Sequence, residues 1–246
     1  MKAIIMAAGV GKRLQALNIN KPKCLITVEN ETLIRRSVNL LVNKGISDIT
    51  VIVGFMADLI RNELNNDVAY FENPDFHSTN SIKSLWYAKD LLEDNVLLLN
   101  GDLYYEHGIL DYAINQTNPV VMLADSTRID NADYRFSFSG DQINQFGKHL
   151  TNHETDGEYV GIVRIDQRFI KTFKQALEEM ITSGKSNIWW EDVLYSFIEK
   201  RIPINYFDVA GTFWSEVDTL QDYNYLKNWI KNQDMPMPHK IIRSAR

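Results

Sequence analysis

The chain has 246 residues, 45% of them hydrophobic and 24% charged, which supplies ample apolar material for the core of an ordinary soluble globular protein. Its formal net charge of −6 argues against a nucleic-acid backbone as partner, and its single cysteine, Cys24, excludes both an intrachain disulfide and a cysteine-rich metal site. No run approaches the ~20 apolar residues of a membrane span, so no membrane partner is expected.

The first apolar run, Ala3-Ile4-Ile5-Met6-Ala7-Ala8, is short, uncharged and ends at a glycine, which predicts a buried strand. Gly9 and Gly11 carry no Cβ, so the backbone leaving that strand can turn tightly and come close to a ligand. Lys12 and Arg13 follow at once, and Lys21-Pro22-Lys23 returns two more cations. A glycine loop at a strand end with cations around it suits a small polyphosphate. Two familiar phosphate fingerprints are absent. Gly9-Val10-Gly11-Lys12-Arg13-Leu14 ends in leucine where G-x-G-x-x-G needs glycine, and a P-loop needs glycine at Met6 and Ser or Thr at Arg13. The N-terminal run passes too soon into glycines and charges for a signal peptide, so a reduced, cytoplasmic setting is expected, with Cys24 a small buried hydrophobe.

Thr32 to Asn43 has Leu33, Val38, Leu41 and Val42 at helical spacing, with Gly45 placed to end the helix. Strands are expected at Asp48–Gly54 and Val68–Asn73 around a short helix at Met56–Leu64, the alternation of a parallel sheet with crossover helices. Ligands of such sheets bind beyond the carboxyl ends of the strands, where Gly9, Gly54 and Asp102 fall. Ser78, Thr79 or Asn80 caps a helix whose apolar face is Ile82, Leu85, Trp86 and Leu92. Asn95–Asp102 is a further strand, and it delivers Asp102 to the binding edge as a ligand for Mg²⁺, a cation that takes few carboxylates and keeps substrate phosphates. A helix at Gly108–Thr117 and a strand at Pro119–Asp125 continue the series.

Beyond Asp125 the pattern changes. Tyr134–Ser139 alternates before Gly140-Asp141 and Ile143–Phe146 returns, which predicts a hairpin ahead of a strand at Glu158–Ile165. Arg128, Asp133, Arg135, Lys148 and Glu158 supply both signs of charge here, either as acceptor contacts or as solvated strand-face charges. A helix at Arg168–Thr182 precedes a second at Ser186–Lys200 that opens with Trp189-Trp190. These tryptophans read either as a cation–π surface for a cationic headgroup or as core and subunit contacts, which leaves a homodimer open. Strands follow at Ile204–Val209 and Phe213–Asp218, the latter with Glu216 and Asp218 on one face, before Thr219 caps a helix to Ile230. The expected organisation is one domain over residues 1–232 and a tail over 233–246.

Several of these stretches carry a resemblance. A-A-G-x-G-x-R-L followed by K-P-K-x-L resembles the N-terminal signature of the nucleotidyltransferase superfamily that activates sugar 1-phosphates and phospho-alcohols. The resemblance implies an α/β fold with a Rossmann-like mixed, mainly parallel sheet flanked by helices, plus a small β-hairpin subregion for the acceptor. It implies that Ala7, Ala8, Gly9, Gly11, Lys12 and Gly101 bind the nucleotide, that Arg13 meets the β/γ-phosphates and that Lys23 reaches the reacting phosphates. N-x-x-x-S-L at Asn80, Ser84 and Leu85 is similar to the stretch that phosphocholine-type cytidylyltransferases set against a pyrimidine. The glycine-rich L-G-T-A element of sugar-nucleotide members is absent.

Asp102 corresponds to the family's metal-binding aspartate. W-x-E-V-D-T with Asp222-Tyr223 resembles its closing motif, which makes Asp218 the second metal ligand. D-Y-R and G-E-Y-x-G-I resemble elements of phospho-alcohol and aminophosphonate cytidylyltransferases, so Arg128, Asp133, Arg135, Glu158, Trp190 and Glu216 form the acceptor-binding set. The implied activity is Mg²⁺-dependent transfer of CMP from CTP to a small phosphorylated amino-alcohol, phosphocholine first, with release of pyrophosphate. An aminoethylphosphonate or other zwitterionic acceptor and a sugar 1-phosphate are the alternatives. A non-catalytic nucleotide sensor would keep the glycine loop but would need neither Asp102 nor Asp218.

Overall fold

The computed structural model describes residues 1–11 and 21–233. Its main sheet begins with the N-terminal apolar run, Lys2–Ala7 (β1), whose alternate side chains enter two different cores. Ala3, Ile5 and Ala7 pack on one face with Val51, Val53, Leu97 and Leu99, whereas Ile4 packs on the other with Ile52, Leu98, Met122 and Val163. Burial on both faces is what makes these strands read as continuous apolar runs.

Parallel pairing joins β1 to Ile49–Val53 (β4) on one side and to Val96–Asn100 (β6) on the other, and β4 to Ala69–Glu72 (β5). The chain thus winds outward through β4 and β5, then returns across β1 to lay down β6. This reversal opens a crevice beyond the carboxyl ends of β1 and β6, the usual ligand position in such sheets. The crossover helices are Leu33–Asn43 (α1) and Ala57–Leu64 (α2). The Thr32 side chain accepts from the Arg35 N–H at 3.2 Å to cap α1, and Gly45, at φ +78°, follows its last turn.

Past β6 the sheet becomes mixed. Gly157–Ile165 (β11) runs antiparallel to both β6 and Val120–Asp125 (β8), and Asn205–Asp208 (β12) runs parallel to β8. The expected hairpin forms from Arg135–Ser139 (β9) and Gln142–Phe146 (β10) and closes onto the sheet through β12 and β11. The strand order is β5-β4-β1-β6-β11-β8-β12-β10-β9.

Two features depart from the sequence reading. Leu103–Tyr105 forms a short strand (β7) that pairs antiparallel with Trp214–Glu216 (β13), apart from the main sheet. The helix expected over Ser186–Lys200 begins only at Asp192 and runs to Glu199 (α6). Upstream, the Ser186 and Ile188 carbonyls accept from the N–H groups of Asn80 and Ile82 at 3.0 and 3.3 Å. Those carbonyls therefore satisfy the start of Ser81–Tyr87 (α3) and are not free to propagate a helix of their own. Gly108–Ile114 (α4), Gln167–Thr182 (α5) and Leu220–Gln233 (α7) complete the α-helices among the described residues, with short strands Thr27–Val28 (β2) and Glu31–Thr32 (β3) before α1. Thr219 and Asp222 exchange hydrogen bonds at the start of α7, the Asp222 N–H reaching Thr219 Oγ1 at 3.2 Å and the Thr219 N–H reaching Asp222 Oδ2 at 2.7 Å. No helix among the described residues is long and apolar enough to cross a membrane.

Candidate functional site

A cleft of about 540 Å³ opens at the carboxyl ends of β1 and β6. Its floor is the backbone leaving β1. Gly101 must approach this backbone closely: its N–H donates to the Met6 carbonyl at 3.0 Å, and a Cβ would sit 2.8 Å from that oxygen. Gly11 has φ +63°, and a Cβ there would meet Lys23 Cγ at 2.6 Å, so the lysine stem lies directly over the glycine loop.

Three carboxylates converge beside that stem. Asp102, Glu216 and Asp218 each place an oxygen within 4.8 Å of the others. The β7–β13 pairing makes this possible, because it sets Glu216 opposite Leu103 and lets the Val217 N–H donate to the Asp102 carbonyl at 3.0 Å. The Lys23 ammonium bridges Asp102 and Asp218. Loss of hydration would by itself lower this lysine, but Asp102, Asp218 and Glu216 together hold it above its ordinary value and fully charged. Burial, reinforced by Asp102 and Asp218, pushes the Glu216 carboxyl well above the usual carboxylate range. One ammonium against the Asp102 and Asp218 carboxylates leaves the cluster short of positive charge, and its hard oxygen donors suit a divalent cation such as Mg²⁺.

Comparison with known proteins agrees with this geometry. The family model for nucleotidyl transferases matches residues 2–124, the half of the chain that builds β1, β4, β6 and the glycine loop. The chain belongs to this nucleotidyl transferase family. It is 25% identical to the CTP:phosphoglutamine cytidylyltransferase of Campylobacter jejuni over 90% of this chain and 97% of that protein. It is 24% identical to the choline-phosphate cytidylyltransferase of Streptococcus pneumoniae over 95% of this chain and all of that one. The solved structure of the CTP:phosphocholine cytidylyltransferase from S. pneumoniae superposes with a TM-score of 0.77, covering 93% of this chain and 98% of that chain.

In this nucleotidyltransferase the sequence-selected Ala7, Ala8, Gly9, Gly11, Lys23, Asn80, Ser84, Gly101, Asp102, Asp133, Glu216 and Asp218 all border the cleft. Lys12 and Arg13 lie outside the described residues. Asn80 is the residue that caps α3, its Oδ1 accepting from the Ser81 N–H at 2.7 Å, and Ser84 is buried and accepts from Asn73 Nδ2 at 2.8 Å.

Four expected acceptor contacts stand elsewhere. Arg128 braces β13 from behind, its guanidinium 4.0 Å from the Trp214 ring and 3.6 and 3.8 Å from Asp125 and Glu158. Arg135 donates to Asn152 and Thr155 at 2.6 and 3.2 Å, and Glu158 accepts from the Asp133 N–H at 2.6 Å. Trp190 is only 1% exposed; its indole N–H donates to Asn100 Oδ1 at 3.3 Å inside the core. Because α6 starts late, the neighbouring Trp189 is the tryptophan at the cleft, 49% exposed and edge-on to Tyr134 at 6.4 Å.

Sequence reasoning missed Glu191, Tyr159 and Tyr195, all of which line the cleft. Glu191 follows the tryptophan pair, and no helical or strand periodicity marks it. It is 6% exposed and accepts from Asn100 Nδ2 at 3.3 Å. Burial is the main cause that pushes its carboxyl from the ordinary 4.5 up to about 8. Between those two values the folded protein keeps a proton that the unfolded chain releases, so stability falls as pH rises through the window. Glu191→Gln is expected to abolish that loss. Its stability advantage over wild type should grow from pH 5 to pH 8, by a few kcal/mol at most on a scale of roughly 1.4 kcal/mol per unit. Thermal melts of both proteins at pH 5, 6.5 and 8 check this, and a difference that stays constant with pH counts against it.

Proposed function

We propose that the chain is a cytidylyltransferase that transfers CMP from CTP to a small phosphorylated, ammonium-bearing acceptor, phosphocholine first, and releases pyrophosphate. What carries this reading is one cleft lined by two unlike sets of groups. Lys23 and three carboxylates stand beside the glycine loop, and Glu191, Asp133, Tyr134, Tyr195 and Trp189 line the same cleft. The aromatic faces suit an organic cation, and a cation bound beside Glu191 would draw its carboxyl down into the charged form. Relatives named for CTP and phosphorylated acceptors favour the same substrates.

An acceptor phosphoryl oxygen attacks the α-phosphorus in line; the new P–O bond forms as the bond to the departing pyrophosphate breaks. The attacking oxygen is already anionic, so no protein nucleophile or base is required. Positioning and charge stabilisation are the enzyme's contribution. The glycine loop brings backbone N–H groups close to the triphosphate, and Lys23 stabilises charge on the transferring phosphate. Asp102 and Asp218, with Glu216 beside them, would hold Mg²⁺, which supplies further screening between two anionic reactants when bound. Arg13, by family resemblance, would meet the β/γ-phosphates.

Pyrophosphate release tests the reading, with each of the four triphosphates against phosphocholine, 2-aminoethylphosphonate and hexose 1-phosphates. Turnover is expected with CTP and a phosphorylated or phosphonylated amine. Turnover confined to UTP or dTTP with a hexose 1-phosphate overturns it.

A further inference from the structure

Tyr159 is 8% exposed, lines the cleft, and its hydroxyl has no hydrogen-bond partner among the described residues. A buried phenol without a partner costs free energy comparable to a lost hydrogen bond, which favours a partner brought by the ligand. The backbone is shaped to present it. Tyr159 opens a β-bulge: opposite β8 it pairs with Ala124, yet the next register partner is Val163 with Met122. Gly161 makes the bulge possible at φ +90°, where a Cβ would meet Leu103 Cδ1 at 3.0 Å and Asn100 Nδ2 at 3.3 Å. Bulges of this kind re-aim a side chain beside a site. The Tyr159 ring is held against Phe136, with centroids 5.7 Å apart.

The carboxyl groups that act on Tyr159 are Glu191, at the aromatic wall, and Glu216, in the acidic cluster, with the Tyr134 hydroxyl beside it. Burial above all, with these groups adding to it, keeps the phenol protonated and therefore a donor. Its ring packs on Phe136 in the aromatic wall that the functional reading gives to the acceptor, and a small phosphorylated amine bound there offers only its phosphate oxygens as hydrogen-bond acceptors. On the functional reading above, we infer that Tyr159 is a specificity-determining residue whose hydroxyl donates a hydrogen bond to the phosphoryl group of the acceptor.

Tyr159→Phe removes one oxygen and keeps the ring packing. With CTP saturating, kcat/KM for phosphocholine is expected to fall about 10-fold to 100-fold, the scale of a hydrogen bond to a charged group. The KM for CTP and the melting temperature should stay at wild-type values, which a merely structural role would not allow. A kcat/KM for the acceptor within twofold of wild type, as expected if the hydroxyl only holds water, overturns the inference. So does an equal rise in the KM for CTP. If wild type instead turns over only a hexose 1-phosphate, the functional reading fails, and the same comparison on that sugar decides the tyrosine's role separately.

Discussion

Asp218→Asn should lower kcat/KM by roughly 10²- to 10³-fold, the range associated with removing one preorganised electrostatic contact from a transition state. The substitution keeps the side chain's shape and removes its charge from a cluster whose oxygens lie within 4.8 Å of each other. The fold should survive. The backbone N–H of residue 218 still donates to Asp222 Oδ2 at 3.1 Å, and Lys23 still has Asp102. The informative experiment is a Mg²⁺ titration of pyrophosphate release beside a thermal melt. The variant should need far more Mg²⁺, or fail to respond to it, while melting within a few degrees of wild type. Wild-type turnover at every Mg²⁺ concentration would take Asp218 out of the proposed metal site.

Lys23→Met is expected to act on both activity and stability. Methionine keeps the unbranched stem that lies over Gly11 but leaves three acids without the ammonium that bridges two of them. Breaking one side of a buried ion pair costs on the order of 3 kcal/mol, somewhat less here because the lysine side chain is 20% exposed. In metal-free buffer the variant should therefore melt well below wild type. Added Mg²⁺ should restore much of the difference, because a divalent cation can replace the missing positive charge. Turnover should stay at least about 10²-fold down even with Mg²⁺ present, since the metal cannot also fill the place on the transferring phosphate proposed for the lysine. Equal melting temperatures without metal would show that Lys23 is not the internal counter-ion of this cluster.

The first half of the fold was legible because it obeys local rules. Apolar runs bounded by glycines became β1, β4 and β6, and Thr32 and Gly45 punctuate α1 where their chemistry requires. The cleft-lining residues easiest to read were those at strand ends, such as Asp102, and those in compact motifs, such as Lys23. What could not be read depended on contacts distant in sequence. Only the pairing of Tyr105 with Trp214 shows why Glu216 and Asp218 face Asp102. Only the use of the Ser186 and Ile188 carbonyls by α3 explains why the 186–200 stretch starts in bends and turns before its helix, burying Trp190 and exposing Trp189. Charge left Arg128 and Arg135 open between acceptor contact and scaffold, because a cation that braces a tryptophan or a loop looks in sequence like one that awaits a ligand.

The small two-stranded clamp has a kinetic corollary for biogenesis. Lys23 and Asp218 are separated by 195 positions, so a nascent polypeptide can assemble the triphosphate-cradling half long before the second aspartate leaves the ribosome. Such late, non-local closure is slow to form. Onset of turnover during translation would then report the moment that β13 docks, and a cut anywhere between the two halves that lets that strand drift would silence the enzyme without unfolding the rest.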